Sequence, residues 1–141
     1  MKRYKQGGRH SVYISELDAE HRTLFRIGEE LHRAVVAKAG PGPVGEVVRA
    51  LLAHVEDHFT HEERLMRRSG YPAIDWHKRQ HDGVRRHLKR YAKRVESGDI
   101  EAATLLLDYL SSWLNGHTGL TDRMMAAYLR NYDRHKAAAA S

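Results

Sequence analysis

Two pairs of side chains in this sequence have the spacing of metal ligands on one face of a helix. His58 and Glu62 are four residues apart, and so are His77 and His81. Residues i and i+4 of an α-helix project from the same face, one turn apart. Imidazole nitrogens and carboxylate oxygens are suitable ligands for iron and other first-row transition metals. The spacing therefore predicts a polar site shared by two helices.

Short breaks divide the chain into four long segments that would carry these residues. The breaks are AGPGPVG at 39–45, SGYP at 69–72 and SGD at 97–99. Glycine and proline at such positions end helices, and hairpin-like strand signals are absent from the sequence. We expect an all-α, antiparallel up-down-up-down four-helix bundle, because the connections are short. The predicted helices run over about 15–38, 43–68 and 73–96, with a fourth from Ile100; Ser15 should cap the first.

Equal distances from a turn correspond to equal heights in antiparallel helices. Reflection through the turn at 69–70 places His58 level with His81, and Glu62 level with His77. The two ligand pairs should therefore face each other across the second and third helices.

The first and fourth helices add a histidine each at the same height. Reflection through residues 41–42 places His21 level with Glu62, and reflection through Gly98 places His117 level with the third-helix pair. All four helices then contribute an imidazole to one cross-section. Asp122 follows His117 by five residues, about 140° around an ideal helix, so spacing alone leaves its direction open. The nearby glycines favour a local bulge that would turn both groups inward.

These residues resemble the ligand pattern of the hemerythrins, specifically the single-domain bacterial kind. The resemblance covers about residues 15–125 and implies that Asp122 is a ligand too. Its motifs are His21 in DAEHRTLF, His58 and Glu62 in HFTHEE, His77 and His81 in HKRQH, and His117 with Asp122 in HTGLTD. It implies two iron ions with an oxo or hydroxo bridge, both touched by Glu62 and Asp122. His77, His81 and His117 would saturate one iron, while His21 and His58 would bind the other. Two six-coordinate metals offer about twelve positions, and these ligands with the bridge leave one vacant for dioxygen.

The resemblance also suggests a pocket lining, although ordinary core packing explains the same apolar residues. The matching positions are Phe59, Trp113, Leu114 and Thr118. The family often has isoleucine where Thr118 stands. The hydroxyl of Thr118 therefore leaves undecided whether this part of the lining is apolar. We expect His54 to be core or adjacent to the ligands, and His61 to be exposed.

The implied function is reversible dioxygen binding for carriage, storage or delivery. The alternatives are a di-iron enzyme that reduces peroxide or nitric oxide, and an oxygen or redox sensor acting through a separate partner. The chain has no cysteine, which excludes disulfides and thiolate metal sites. It also lacks an HExxH string, which excludes that class of zinc hydrolase.

Charge and hydropathy suggest where the protein acts. The net charge is +6, and a basic helix face is predicted at Arg85, Arg86, Lys89, Arg90, Lys93 and Arg94. We interpret this face as solvated, with an acidic protein partner as the alternative; without interleaved aromatics, no nucleic acid is expected. No stretch approaches about 18 apolar residues, and we expect a cytoplasmic location. The predicted organisation is a basic arm at 1–14, a hemerythrin-like four-helix bundle at 15–132 and a tail at 133–141.

Overall fold

The described part of the chain is helical, and it contains no strand. The computed structural model describes residues 12 and 14–140, except for the side chains of residues 118, 119 and 140. The helices are α1 (Ser15–Val36), α2 (Pro41–Ser69), α3 (Ile74–Glu96), α4 (Glu101–Gly116) and α5 (Asp122–Ala140), with a π-helical turn at His117–Thr121. Of the helices described, none is both long and apolar enough to cross a membrane.

Side-chain contacts show that neighbouring helices are antiparallel. Along α1, Glu16 lies against His61 of α2, whereas Glu20 lies against His58. Between α2 and α3, Glu56 pairs with Arg85 and Glu63 with His81. Between α3 and the segment formed by α4 and the π turn, His87 stacks on Tyr109 and His77 contacts His117. Residue numbers rise on one helix as they fall on the next, which confirms the predicted bundle.

The fourth member of the bundle consists of α4, the π turn and α5. The backbone stays right-handed at both junctions, with φ −65° and ψ −51° at His117 and φ −68° and ψ −34° at Asp122. Helix α5 continues through Ala140, so residues 133–140 extend this rod.

The turn between α1 and α2 is earlier than predicted. Helix α1 ends at Val36 and α2 begins at Pro41, so the reversal takes only residues 37–40. Lys38 and Gly40 both have positive φ angles, 52° and 95°, which makes this tight reversal possible. As a result the predicted level of His21 was wrong by one turn: it meets His58 rather than Glu62.

The start of α1 is held by the chain that precedes it. The N-cap is Ile14 and no side chain caps the helix, so the prediction of a Ser15 cap was wrong. Instead, Asp18 accepts a hydrogen bond of 2.8 Å from the backbone N–H of Val12, which is buried. The other residues of the predicted basic arm, except Ile14, lie outside the described residues.

Two apolar clusters fill the bundle, and a polar layer separates them along every helix. On α1, Leu17 belongs to one cluster and Leu24 to the other, with His21 between them. On α2, Glu62 lies in the same way between Phe59 and Met66. The helices therefore bury a polar cross-section in the middle of the core.

Candidate metal centre

All seven predicted ligands lie in this polar layer. Their relative exposure ranges from 0% to 4%, which is very low for histidines and carboxylates. They come from all four members of the bundle: His21 from α1, His58 and Glu62 from α2, His77 and His81 from α3, His117 from the π turn and Asp122 from the start of α5.

The ligand atoms form two overlapping groups. Within each group, the nitrogen and oxygen atoms lie within 4.8 Å of one another, so either group could hold a metal ion. The first contains His77, His81 and His117, the second contains His21 and His58, and both contain Glu62 and Asp122.

Asp122 divides its two oxygens between these groups. Its Oδ1 lies 2.6 Å from Nε2 of His117 and 3.2 Å from Nε2 of His77. Its Oδ2 lies 3.3 Å from Nε2 of His21, on the other side. One carboxylate can therefore touch two neighbouring metal ions.

Glu62 divides its oxygens in the same sense. Oε1 lies 3.1 Å from Nε2 of His81 and 3.7 Å from Nε2 of His77. Oε2 lies 3.6 Å from Nε2 of His58. Two carboxylates that each face both groups give the arrangement of a doubly bridged pair of metals.

The buried polar atoms lack the partners that a metal would supply. All four oxygens of Glu62 and Asp122 are buried without a hydrogen-bond partner, and so is Nε2 of His81. Nε2 of His21 lies 3.0 Å from Nε2 of His58. Unsatisfied buried polar groups are costly and rare in folded proteins. The donor set of imidazole and carboxylate therefore fits a first-row transition metal.

The two carboxylates are ionised in this environment. Burial raises the pKa of Glu62 and so does the charge of Asp122, but His58, His77 and His81 outweigh both, and the pKa falls below its usual range. Burial likewise raises the pKa of Asp122, and His117 with the other imidazoles lowers it further than burial raises it. Both groups can therefore act as anionic ligands.

The imidazoles differ in how readily they hold a proton in the metal-free site. Burial lowers the pKa of His77, but contacts with Asp122 and Glu62 outweigh it and raise the pKa to about 9. Burial also lowers the pKa of His58, where the nearby carboxylates produce a net rise. For His117 burial prevails and the pKa falls. Protons and metal ions would therefore compete for the nitrogens of His77 and His58.

The π turn brings together two candidate ligands that an α-helix would separate. A π-helix has a wider turn, with hydrogen bonds from i to i+5, so residues five apart come onto one face. His117 opens this turn and Asp122 follows it, and their side chains meet at 2.6 Å. The predicted local bulge is confirmed.

Three of the imidazoles are held from behind by residues that the sequence analysis missed. Nδ1 of His58 donates to Glu20 over 2.7 Å, Nδ1 of His81 to Glu63 over 2.8 Å, and Nδ1 of His117 to Gln80 over 3.0 Å. Such bonds fix the ring and its tautomer and leave Nε2 for a metal. Reflection through residues 69–70 places Glu63 level with Trp76, so it did not indicate the contact with His81.

Arg85 reinforces this arrangement from the predicted basic face. Its guanidinium donates to Glu56, Glu63 and Asp82, and its carbon Cζ lies 5.3 Å from the ring centre of Phe59. Bonds from His81 and Arg85 outweigh the effect of burial and lower the pKa of Glu63. Arg85 therefore faces the site, whereas the other five cations of that face are exposed.

The exposure of two further histidines of α2 is the reverse of what the sequence predicted. His54 is exposed, because the facing side chains of Ala19 and Thr23 are small and leave a cleft beside it. His61 is only 16% exposed, since Glu20 accepts a 2.6 Å hydrogen bond from its Nδ1. Both predictions were wrong for the same reason, which is the placement of α1 against α2.

Two of the predicted lining residues stack on imidazoles of the candidate ligands. Phe59 lies parallel to His81 at 3.9 Å between ring centres, and Trp113 lies nearly parallel to His117 at 4.1 Å. Leu114 is buried in the larger apolar cluster. The side chain of Thr118, the fourth predicted lining residue, lies outside the described residues.

Comparison with known proteins gives one consistent family. A family profile described as the hemerythrin HHE cation binding domain matches residues 12–129. The bacteriohemerythrin of Stenotrophomonas maltophilia (strain R551-3) is 30% identical over 128 residues, which cover 88% of this chain and 82% of that protein. The myohemerythrin of Theromyzon tessulatum is 30% identical over 111 residues, covering 79% and 81%.

Solved structures agree with the fold. A crystallised point mutant superposes with a TM-score of 0.76 at 25% identity, covering 82% of this chain and 88% of that one. A crystal structure of a hemerythrin mutant gives a TM-score of 0.70 at 23% identity over the same fractions. The buried histidines and carboxylates thus form a non-haem metal centre within a four-helix bundle.

Proposed function

Because this chain belongs to the hemerythrin family, we propose that it binds dioxygen reversibly at a buried di-iron centre, for carriage, storage or delivery of the gas. The division of carboxylate oxygens between two groups of imidazoles carries this proposal. A single-metal site would have no use for two carboxylates that each face both ways.

The ligand assignment follows the two groups. His77, His81 and His117 would bind one iron and His21 with His58 the other, with Glu62, Asp122 and an oxo or hydroxo group between them. Because the number of imidazoles is odd, two six-coordinate irons held by these residues would be unequal. The iron held by two imidazoles would keep one position for a small ligand.

The chain itself supplies a dry and rigid site. When bound, the two irons supply the two electrons that dioxygen takes up on binding and returns on release. Phe59 and Trp113 cover two ligand rings, and Phe59 is 1% exposed. Exclusion of water would limit the proton transfers that lead to loss of peroxide instead of dioxygen and so end reversible binding. Glu20, Glu63 and Gln80 hold three rings in the orientation that ligation requires.

Metal analysis and spectroscopy test the proposal. The purified protein should contain two irons per chain and show the near-ultraviolet charge-transfer bands of an oxo-bridged pair. The reduced protein should form an oxygen adduct that disappears under vacuum and returns on re-exposure to oxygen. One zinc per chain, or no metal, would refute the centre. Repeated turnover of peroxide or nitric oxide by the same protein would favour an enzyme instead.

A further inference from the structure

Glu20 of α1 holds two imidazoles of α2 at once. Its Oε1 accepts a hydrogen bond of 2.7 Å from Nδ1 of His58, and its Oε2 accepts one of 2.6 Å from Nδ1 of His61. An ionised carboxylate only accepts hydrogen bonds, so each ring carries its proton on Nδ1. The Nε2 lone pair of each ring is therefore available to a metal ion.

The Nε2 atoms of His58 and His61 have different surroundings. Nε2 of His58 lies in the buried centre, 3.0 Å from that of His21. Nε2 of His61 lies 3.7 Å from Oε2 of Glu16, whose side chain is 59% exposed. This separation is too long for a hydrogen bond. It is close to the roughly 3.4 Å between two ligands of a tetrahedral ion with bonds of about 2.0–2.2 Å.

An acidic cleft lies beside Glu16 and Glu20 and reaches His58. It has a volume of about 460 Å³ and is lined by Glu16, Ala19, Glu20, Thr23, His54, Asp57 and His58. The described residues that line it include three carboxylates and no lysine or arginine, although the chain as a whole carries a net charge of +6. A cleft of one charge sign concentrates ions of the other sign. One wall of this cleft is His58, a ligand of the proposed centre.

The flank of the centre beside Arg85 is a poorer entrance for metal. There, Glu63 accepts a hydrogen bond from Nδ1 of His81, and the guanidinium of Arg85 binds Glu56, Glu63 and Asp82. These three carboxylates are already engaged by a fixed cation, so they are less available to an arriving metal ion. The acidic cleft, which no lysine or arginine among the described residues lines, therefore provides the more favourable path.

We propose that His61 and Glu16, with Glu20 orienting His61, form an outer divalent-cation site that captures the metal ion and delivers it past His58 to the buried centre. The inference rests on the proposed di-iron centre. One imidazole and one carboxylate, completed by water, suit a first-row divalent ion such as Fe²⁺. Two protein ligands hold an ion weakly, which is the property that onward transfer requires.

Loading kinetics test this outer site. Metal-free protein is mixed anaerobically with a small excess of Fe²⁺, and uptake is followed for the wild type and for His61→Ala, Glu16→Gln and the double variant. Glu46→Gln removes an exposed carboxylate elsewhere on α2, and His135→Ala removes an exposed histidine on α5, so they serve as matched controls. Circular dichroism confirms that each variant is folded.

The double variant should load about tenfold more slowly, because it lacks both ligands of the outer site and one negative charge beside the cleft. Its final iron content and the spectrum of its loaded centre should equal those of the wild type, and both controls should load within about twofold of the wild-type rate. Wild-type loading kinetics in the double variant would overturn the outer site and leave the centre intact. A lower final iron content would also overturn it, since His61 and Glu16 would then help to hold the centre. A wild-type protein that takes up no iron would refute the centre itself.

Discussion

Glu62 and Glu63 are adjacent buried carboxylates on α2, and their surroundings give them different roles. The oxygens of Glu62 have no hydrogen-bond partner and face imidazoles of both groups. The Oε2 atom of Glu63 accepts hydrogen bonds from Nδ1 of His81 and from Arg85. Glu62 is therefore placed to bind metal, and Glu63 to hold a ring that binds metal.

A pair of isosteric substitutions separates these roles. Glu62→Gln should lower the iron content from two per chain to one or none, because an amide is a poor bridging ligand. Glu63→Gln should keep two irons but release them about 10- to 100-fold faster to a chelator, because His81 loses an anionic partner. Iron analysis and chelator-release kinetics on both variants provide the measurement. Equal iron contents in the two variants would contradict the assignment of Glu62 as a bridge.

The raised pKa of His77 predicts a pH dependence that only the metal-free protein should show. Its pKa rises from 6.5 to about 9 on folding, so the proton that it holds stabilises the metal-free fold. This contribution is complete below pH 6.5 and disappears as the pH rises through 9. In the loaded protein the metal replaces that proton. Melting temperatures between pH 6 and 9.5 should therefore fall for the metal-free form and stay nearly constant for the loaded form; parallel curves would contradict this.

Residue spacing predicted which side chains of α2 and α3 would meet in the polar layer, but not the groups that support them. The i, i+4 pairs and the turn positions were sufficient for His58, Glu62, His77 and His81, because helical geometry alone fixes them. The contacts of Glu20 depend on the position of α1 against α2, and the predicted centre of the turn was three residues too late. Arg85 resembles a solvated cation in the sequence, and only the structure shows the three carboxylates that draw it inward.

At the scale of elements, the reversal between α2 and α3 sets the heights of four ligands. Gly70 ends α2 in the left-handed conformation, with φ 68° and ψ 33°. Its N–H and that of Tyr71 bond back to carbonyls in the last turn of α2. This tight closure keeps the reversal near residues 69–70, so Phe59, one residue from the predicted level, stacks on His81. Glu62, predicted level with His77, lies nearer His81.

Substitution of Gly70 should therefore destabilise the protein without removing its metal. Gly70→Ala should cost about 1–2 kcal/mol, because the left-handed conformation strains a residue with a Cβ. Gly83→Ala is the matched control: this glycine lies within α3, and an added Cβ would meet only the end of the flexible Arg86 side chain, at 3.8 Å. The control should stabilise the protein by about 0.5–1 kcal/mol. Denaturant titration measures both, and a Gly70→Ala protein as stable as the wild type would rule out the strain argument.

The irregular elements mark the limit of sequence-based prediction. Gly116 and Gly119 indicated a weak point in the fourth helix, and a π turn follows at His117–Thr121. Whether that weakness becomes a π turn depends on the burial of Asp122 among imidazoles, which is a tertiary effect. The α1–α2 reversal likewise depends on the positive φ of Lys38, which a lysine seldom adopts.

At the scale of the whole molecule, the metal layer lies between two apolar clusters that have different members. The larger cluster includes Leu31, Leu51, Leu88 and Leu106, and the smaller includes Leu17, Met66 and Met125. Each cluster joins several helices without using a ligand. The apolar contacts can therefore keep the helices together when the metal is removed, although the buried polar layer then opposes folding.

Removal of the metal should thus lower stability more than it changes helix content. A tightly bound ligand of the folded state adds more than about 4 kcal/mol when its concentration exceeds Kd a thousandfold, so the metal-free protein should melt at least about 10 °C lower. Its far-ultraviolet circular dichroism at 20 °C should stay close to that of the loaded form. His58→Ala should behave similarly, with the iron content halved or lost and the helices retained, because His58 contributes to the metal layer and not to either apolar cluster. Calorimetry gives the melting temperature, and circular dichroism the helix content, of the loaded protein, the metal-free protein and the His58→Ala variant. If the metal-free protein melted as high as the loaded one, the buried imidazoles would have to find partners within the chain, and the polar layer would not need a metal.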